Sequence, residues 1–198
     1  MNCPSRTPPG PRAGFTLVEM LIVVIIIAIT SAIAFPKINV SRIRSKAAIT
    51  TLGTTMLAIQ RDAIAKQHNV LVLVDSVNAR LRVAYDSTND LRITTGERVR
   101  AVDLGEEIVF GRPSGVPARP FGTNPINFVQ REPTTNLPVI ILYRNGSASE
   151  AGGLYLSTVK AMAGLPGHQN ETWAMEMVRA TGRAEWMRWN GTGWVRGF

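Results

Sequence analysis

Hydrophobic positions along the chain fall into three textures. Residues 15–36 form an almost unbroken apolar run, Phe15 to Pro36, with one acid inside it, Glu19. The run is about long enough to cross a bilayer. From Ile38 onward the apolar residues space out, to Ile43, Ala47, Leu52, Met56, Ile59 and Ala63. Steps of mostly three to five residues predict one face of an amphipathic helix. Together the two stretches predict a single long helix over residues 15–67, about 80 Å at about 1.5 Å per residue. Pro36 removes a backbone donor and kinks that helix or loosens its preceding turn, and Gly53 is a second weak point.

Beyond Asn69 the texture changes to strands. Val70–Val74 is β-branched and aliphatic, Leu81–Tyr85 alternates, and Asp75–Ala79 reads as the turn between them. Ile108–Phe110, Val139–Tyr143, Gly152–Leu156, Trp173–Arg179 and Ala184–Trp189 are further strands, with Thr181–Gly182 as a hairpin turn. Arg112–Pro138 holds six prolines and few apolar pairs, which predicts an extended loop or edge. The fold class expected is α+β. A long N-terminal helix, transmembrane and then amphipathic, packs on a C-terminal antiparallel β-sandwich. The expected boundaries are a leader at 1–14, the transmembrane or assembly helix at 15–36, the amphipathic helix at 37–67 and a β-rich domain at 68–198.

Glu19 is the residue that demands an explanation. A carboxylate in hydrocarbon costs roughly 2.5–3.5 kcal/mol at a helix centre, and less near an end. Cleavage after Gly14 would give Phe15 a new α-amino group, and Glu19 would then lie one helical turn on, able to neutralise that amine or a neighbour's. An ordinary signal peptide is a competing reading, with Arg6 and Arg12 ahead of Leu21–Ile29 and an A-x-A site at Ala32–Ala34. A plain single-pass anchor is another. Neither accounts for Glu19 or for a glycine just before the apolar run.

Gly14, Phe15, Thr16, Leu17, Glu19 and Pro36 closely resemble the class III signal of type IV prepilins and type II secretion pseudopilins. That resemblance implies a membrane prepilin peptidase that cuts between Gly14 and Phe15 and N-methylates Phe15. It also implies a helix, with Glu19 and Pro36, that anchors in the inner-membrane lipid and later packs into a filament with other major and minor pseudopilins or pilins. A looser resemblance, to the GspH/FimT group of minor pilins, rests on three stretches. These are Gln60–Lys66 running into Val70–Val74, Asn145–Ser149 with Gly152–Leu156, and Thr181–Arg183 with Trp186, Trp189 and Trp194. It implies a place near the tip of a periplasmic pseudopilus or pilus. GspH-type members serve type II secretion; FimT-type members serve type IV pili, and some bind DNA for uptake through a basic C-terminal region.

Composition sharpens this picture in two places. The only cysteine, Cys3, precedes the junction, so the processed chain has no disulfide. Many FimT-type relatives carry a cysteine pair, and its lack favours the secretion branch. The formal charge is +8, with Arg6 and Arg12 in the leader, so about +6 remains after cleavage. Lys37, Arg42, Arg44, Lys46, Arg61 and Lys66 stand against Asp62 alone in the helical stretch, where the first of them can meet anionic head groups.

No enzyme, cofactor or metal site is expected. His68 and His168 are the only histidines and read as surface residues. There is no nucleophile elbow, P-loop or zinc spacing. Asp86, Asp90, Asp103, Glu106 and Glu107 offer oxygen ligands for calcium but lack EF-hand spacing, so a solvated loop is expected. Asn145, Asn170 and Asn190 head glycosylation sequons that read as turn chemistry. The closing segment interleaves Arg179, Arg183, Arg188 and Arg196 with Trp186, Trp189 and Trp194. Arginines can hold DNA phosphates and exposed tryptophans can stack on bases. Alternatively, the tryptophans cover the sandwich and the arginines solvate its outer face. The alternation through Ala184–Trp189, and Glu185 within it, favour the second reading.

Overall fold

A computed structural model of the protein describes residues 14–34 and 40–197. The first unit contains α1 (Leu17–Ala34), and the second begins at Ser41. The leader expected at 1–14 lies outside the described residues except for Gly14, and so does the expected break at Pro36. The helical stretch is described as α1 and α2 (Val40–Lys66), with residues 35–39 outside the description.

α2 buries Ile49, Leu52, Met56, Ile59 and Ala63, spaced alternately by three and four. That spacing holds one stripe against a core, and each large apolar side chain buried contributes about 1.5–3 kcal/mol. The expected face is corrected at its N-terminal end. Ile43 is 62% exposed and Ala47 is also exposed, whereas Ser45 and Ile49 are buried. Continuing the Leu52 stripe backward by three and four reaches 49 and 45, not 47 and 43.

The β-strands are β1 (Asn69–Asp75), β2 (Arg80–Asp86), β3 (Arg98–Asp103), β4 (Ile108–Phe110), β5 (Val139–Leu142), β6 (Gly152–Thr158), β7 (Thr172–Val178), β8 (Arg183–Trp189) and β9 (Trp194–Arg196). A one-turn helix, α3 (Val159–Met162), follows β6. The strands form two antiparallel sheets, in the orders β3-β2-β1-β5 and β4-β6-β7-β8-β9. The protein is thus α+β, with β-rich sheets after the helices. The two sheets do not close on each other alone. One core takes Val70, Val72 and Val74 of β1, Met175 and Met177 of β7, and the buried stripe of α2. β1 is buried at every position because Leu71 and Leu73 face a second cluster with Ala84, Val139 and Ile141.

Three elements were not foreseen. β3 reads Arg-Val-Arg-Ala-Val-Asp and is exposed at all but one position, so it carries no apolar alternation. β9 and α3 are only three and four residues long. The proline-rich stretch 112–138 is irregular; it folds on itself through isolated bridges at Arg119–Gly122 and Arg131–Pro138 and reaches β6 through the Ile126–Leu154 bridge.

The Gly152–Gly153 pair explains how that stretch lies on the second sheet. A Cβ at Gly152 would sit 2.4 Å from the Asn127 carbonyl oxygen, and one at Gly153 2.8 Å from the Phe121 ring. Only glycine admits so close an approach on both faces of one strand. Beside them Tyr155 is fully buried. Its hydroxyl accepts from the Arg119 N–H at 2.6 Å and donates to the Gly122 carbonyl at 2.7 Å.

Candidate functional site

The amino-terminal candidate begins at Gly14. A Cβ added there would meet nothing within 4 Å, so packing among the described residues gives no reason for glycine. Phe15 follows, 78% exposed. Thr16 then caps α1: its Oγ1 accepts from the Glu19 N–H at 3.2 Å, and its carbonyl accepts from Met20. Thr16-Leu-Val-Glu19 is the S/T-x-x-E capping pattern, legible in the sequence by its spacing alone. Glu19 thus sits in the first turn of α1, near the positive end of the helix dipole, where a carboxylate is favoured by about 0.3–1 kcal/mol.

Apart from Glu19, α1 is apolar and exposed from Leu17 to Ile29. Leu17, Val18, the run Met20–Ile27 and Ile29 are all exposed. Thr30 satisfies its own hydroxyl by donating to the Ile26 carbonyl at 2.9 Å. Glu19 is the only charged residue of the helix and carries no ion pair among the described residues. α1 has 18 residues, about 27 Å at about 1.5 Å per residue, against a hydrocarbon core of about 30 Å. Among the described residues no helix is long and apolar enough to cross a membrane. The span expected over 15–36 runs past α1 at both ends, and its last residues, Phe35 and Pro36, lie outside the description.

Residues 11–35 match the family model of the prokaryotic N-terminal methylation motif. The match takes in Gly14, Phe15, the Thr16 cap and all of α1. No curated protein matches the chain. Two solved structures of the minor pseudopilin EpsH from the type II secretion system of Vibrio cholerae are similar to it, each at 14% identity over 73% of this chain. They are covered to 97% and 96% of their own length, with TM-scores of 0.46 and 0.44, too low a likeness to carry a functional argument.

The carboxy-terminal candidate separates into parts. Arg183 and Arg196 come together, lining one groove beside α2. Arg179 stands on the turn after β7, and Arg188 pairs across the ladder with Trp173 and Val195, away from that groove. The register puts Arg183 and Arg188 on opposite faces of β8. Trp186 and Trp189 are buried at 8% and 6% exposure. Trp194 packs edge-on to Trp189 at 5.8 Å and donates its indole N–H to the Pro117 carbonyl at 3.0 Å. The aromatic faces that base stacking needs are therefore largely used inside the domain. Tyr155, which joins this stack to Phe121 and Trp194, was not legible in advance, since its partners lie more than thirty residues away.

The remaining candidates are mostly local structure. Asp86 is buried and caps its own loop, accepting from the Asp90 and Leu91 N–H groups at 3.0 and 2.9 Å. Among the described residues no group of three or more His, Cys, Asp and Glu could hold a metal ion. His68 and His168 are half-buried rather than surface residues, and His168 Nδ1 lies 3.0 Å from Glu171. Asn145 and Asn190 accept from Ser147 and Thr192 two residues on, the turn chemistry expected of them.

Proposed function

We propose that the chain is a minor pseudopilin of a type II secretion system, a non-catalytic subunit that enters a periplasmic pseudopilus through its amino-terminal helix. The observation that carries this reading is the methylation motif over residues 11–35, which runs into a capped apolar helix with one carboxylate a turn after Phe15. On this reading a prepilin peptidase cuts after Gly14 and methylates Phe15. α1 and its flanking residues then hold the subunit in the inner membrane, with the β-rich unit on the periplasmic side.

The physical reason for Glu19 follows. In a low-dielectric helix bundle an unpaired carboxylate is costly, and an amine beside it removes most of that cost. Pairing Glu19 with the Phe15 amine of the same or a neighbouring subunit sets the register of one helix against the next. The exposed apolar surface of α1 supplies the attraction, and the charge pair supplies the alignment. Secretion is favoured over DNA uptake by the buried tryptophans and by Cys3 as the only cysteine.

Glu19→Ala tests this reading. The variant is expected to insert, to be cut, and to be missing from sheared pseudopili, as read by immunoblot of membrane and filament fractions. Normal incorporation would sink the proposal.

A further inference from the structure

α2 and β8 diverge to leave a groove of about 410 Å³ on the outside of the β-rich unit. This lies within the roughly 300–1,000 Å³ of ordinary ligand pockets. One wall is a face of α2 next to its buried stripe, with Gly53, Thr54 and Leu57. Gly53 presents no side chain there, and Leu57 is 45% exposed. The other wall is β8 from Arg183 to Met187, joined by Arg196.

Among the described residues, the Arg183–Glu185 part of that wall is an open sheet edge. β9 pairs only with Met187, Arg188 and Trp189, and Gly197 extends the ladder by donating to the Trp186 carbonyl at 2.8 Å. Backbone groups of alternate residues point to the same side of an antiparallel strand. The N–H and C=O of Ala184 therefore point the same way as those of Trp186, and no strand pairs with them there among the described residues. Arg183, Glu185 and Arg196 line the groove without forming an ion pair among the described residues. Two guanidiniums against one carboxylate leave it cationic.

We propose that this groove receives an extended acidic segment of a partner protein. The segment adds as a strand beside Ala184, places carboxylates on Arg183 and Arg196, and lays an apolar side chain on Leu57. Strand addition supplies both a donor and an acceptor to the edge. DNA fits less well, because a phosphodiester offers no donor to the Ala184 carbonyl. A second copy fits less well too, because the free edge strand β3 presents Arg98 and Arg100, which would meet Arg183 and Arg196 as like charges.

The test uses the full-length protein in detergent micelles and two seven-residue probes, one alternating valine with glutamate and one alternating valine with lysine. The glutamate peptide is expected to bind and to slow hydrogen exchange at the Ala184 amide, and the lysine peptide to bind at least tenfold more weakly. Arg183→Glu with Arg196→Glu should cost at least tenfold in affinity. Leu57→Asp should do the same, with circular dichroism unchanged in both. The proposal is overturned by no binding, by equal binding of both peptides, or by binding that leaves Ala184 unprotected. It is also overturned if a short DNA duplex or self-association at rising protein concentration protects that amide instead.

Discussion

The backbone N–H of Glu19 donates to Oγ1 of Thr16 at 3.2 Å, and this bond leaves the Glu19 carboxylate itself uncommitted at the start of α1. One residue closes the helix end while its side chain stays available for a partner. Thr16→Ala should therefore loosen the first turn without touching the carboxylate. An N-cap of this kind contributes about 0.5–2 kcal/mol. Hydrogen exchange at the Glu19 amide in micelles should quicken several-fold in Thr16→Ala and stay unchanged in Thr16→Ser. Equal protection in both would show that the cap does not hold the turn.

A second prediction separates the true buried stripe of α2 from the expected one. Ile49→Ala removes a side chain that is 1% exposed and should cost about 2–5 kcal/mol. Ile43→Ala, at 62% exposure, should change stability by less than about 0.5 kcal/mol. Denaturant unfolding followed by tryptophan fluorescence reads this directly, since all four tryptophans lie in β7, β8 and β9. Similar losses in the two variants would contradict the packing described.

The turn between β1 and β2 should make stability depend on acid. Burial pushes the Asp75 carboxyl up, but hydrogen bonds from the Asn78 side chain and backbone and from Arg80 outweigh it and hold it below its ordinary value of 3.8. A carboxylate depressed in the folded state stabilises above its unfolded pKa, and that contribution is lost as pH falls through the folded value. The unfolding midpoint should therefore drop as pH is lowered below about 4, and drop less in Asp75→Asn. Parallel curves for the two proteins would contradict the assignment.

How much of this was legible in the sequence depends on how local each feature is. The Gly14–Phe15 junction and Glu19 declare themselves by position, because their chemistry needs only a helix and a few neighbours. Val70–Val74 reads as a strand because an unbroken run of valine and leucine suits a strand buried on both faces. β3 does not, because an edge strand that exposes Arg98 and Arg100 has no apolar period to detect. The buried stripe of α2 was misplaced where Ser45, a buried polar residue, breaks the hydrophobic signal. That Arg183 and Arg196 line one groove depends on the β8–β9 register, which sets Arg196 opposite Met187, and the place of Tyr155 depends on glycines that let a distant loop descend onto it. Such relationships are settled by tertiary contact and leave no periodic trace.

The central claim is that the chain is processed and assembled as a pilin-type subunit, and its amino terminus tests it most directly. Intact-mass and peptide mass spectrometry of protein extracted from membranes should find the chain beginning at Phe15 with one methyl group on its α-nitrogen. A mature chain that begins at Phe35, after the A-x-A site at Ala32–Ala34, would establish an ordinary signal peptide and contradict the account.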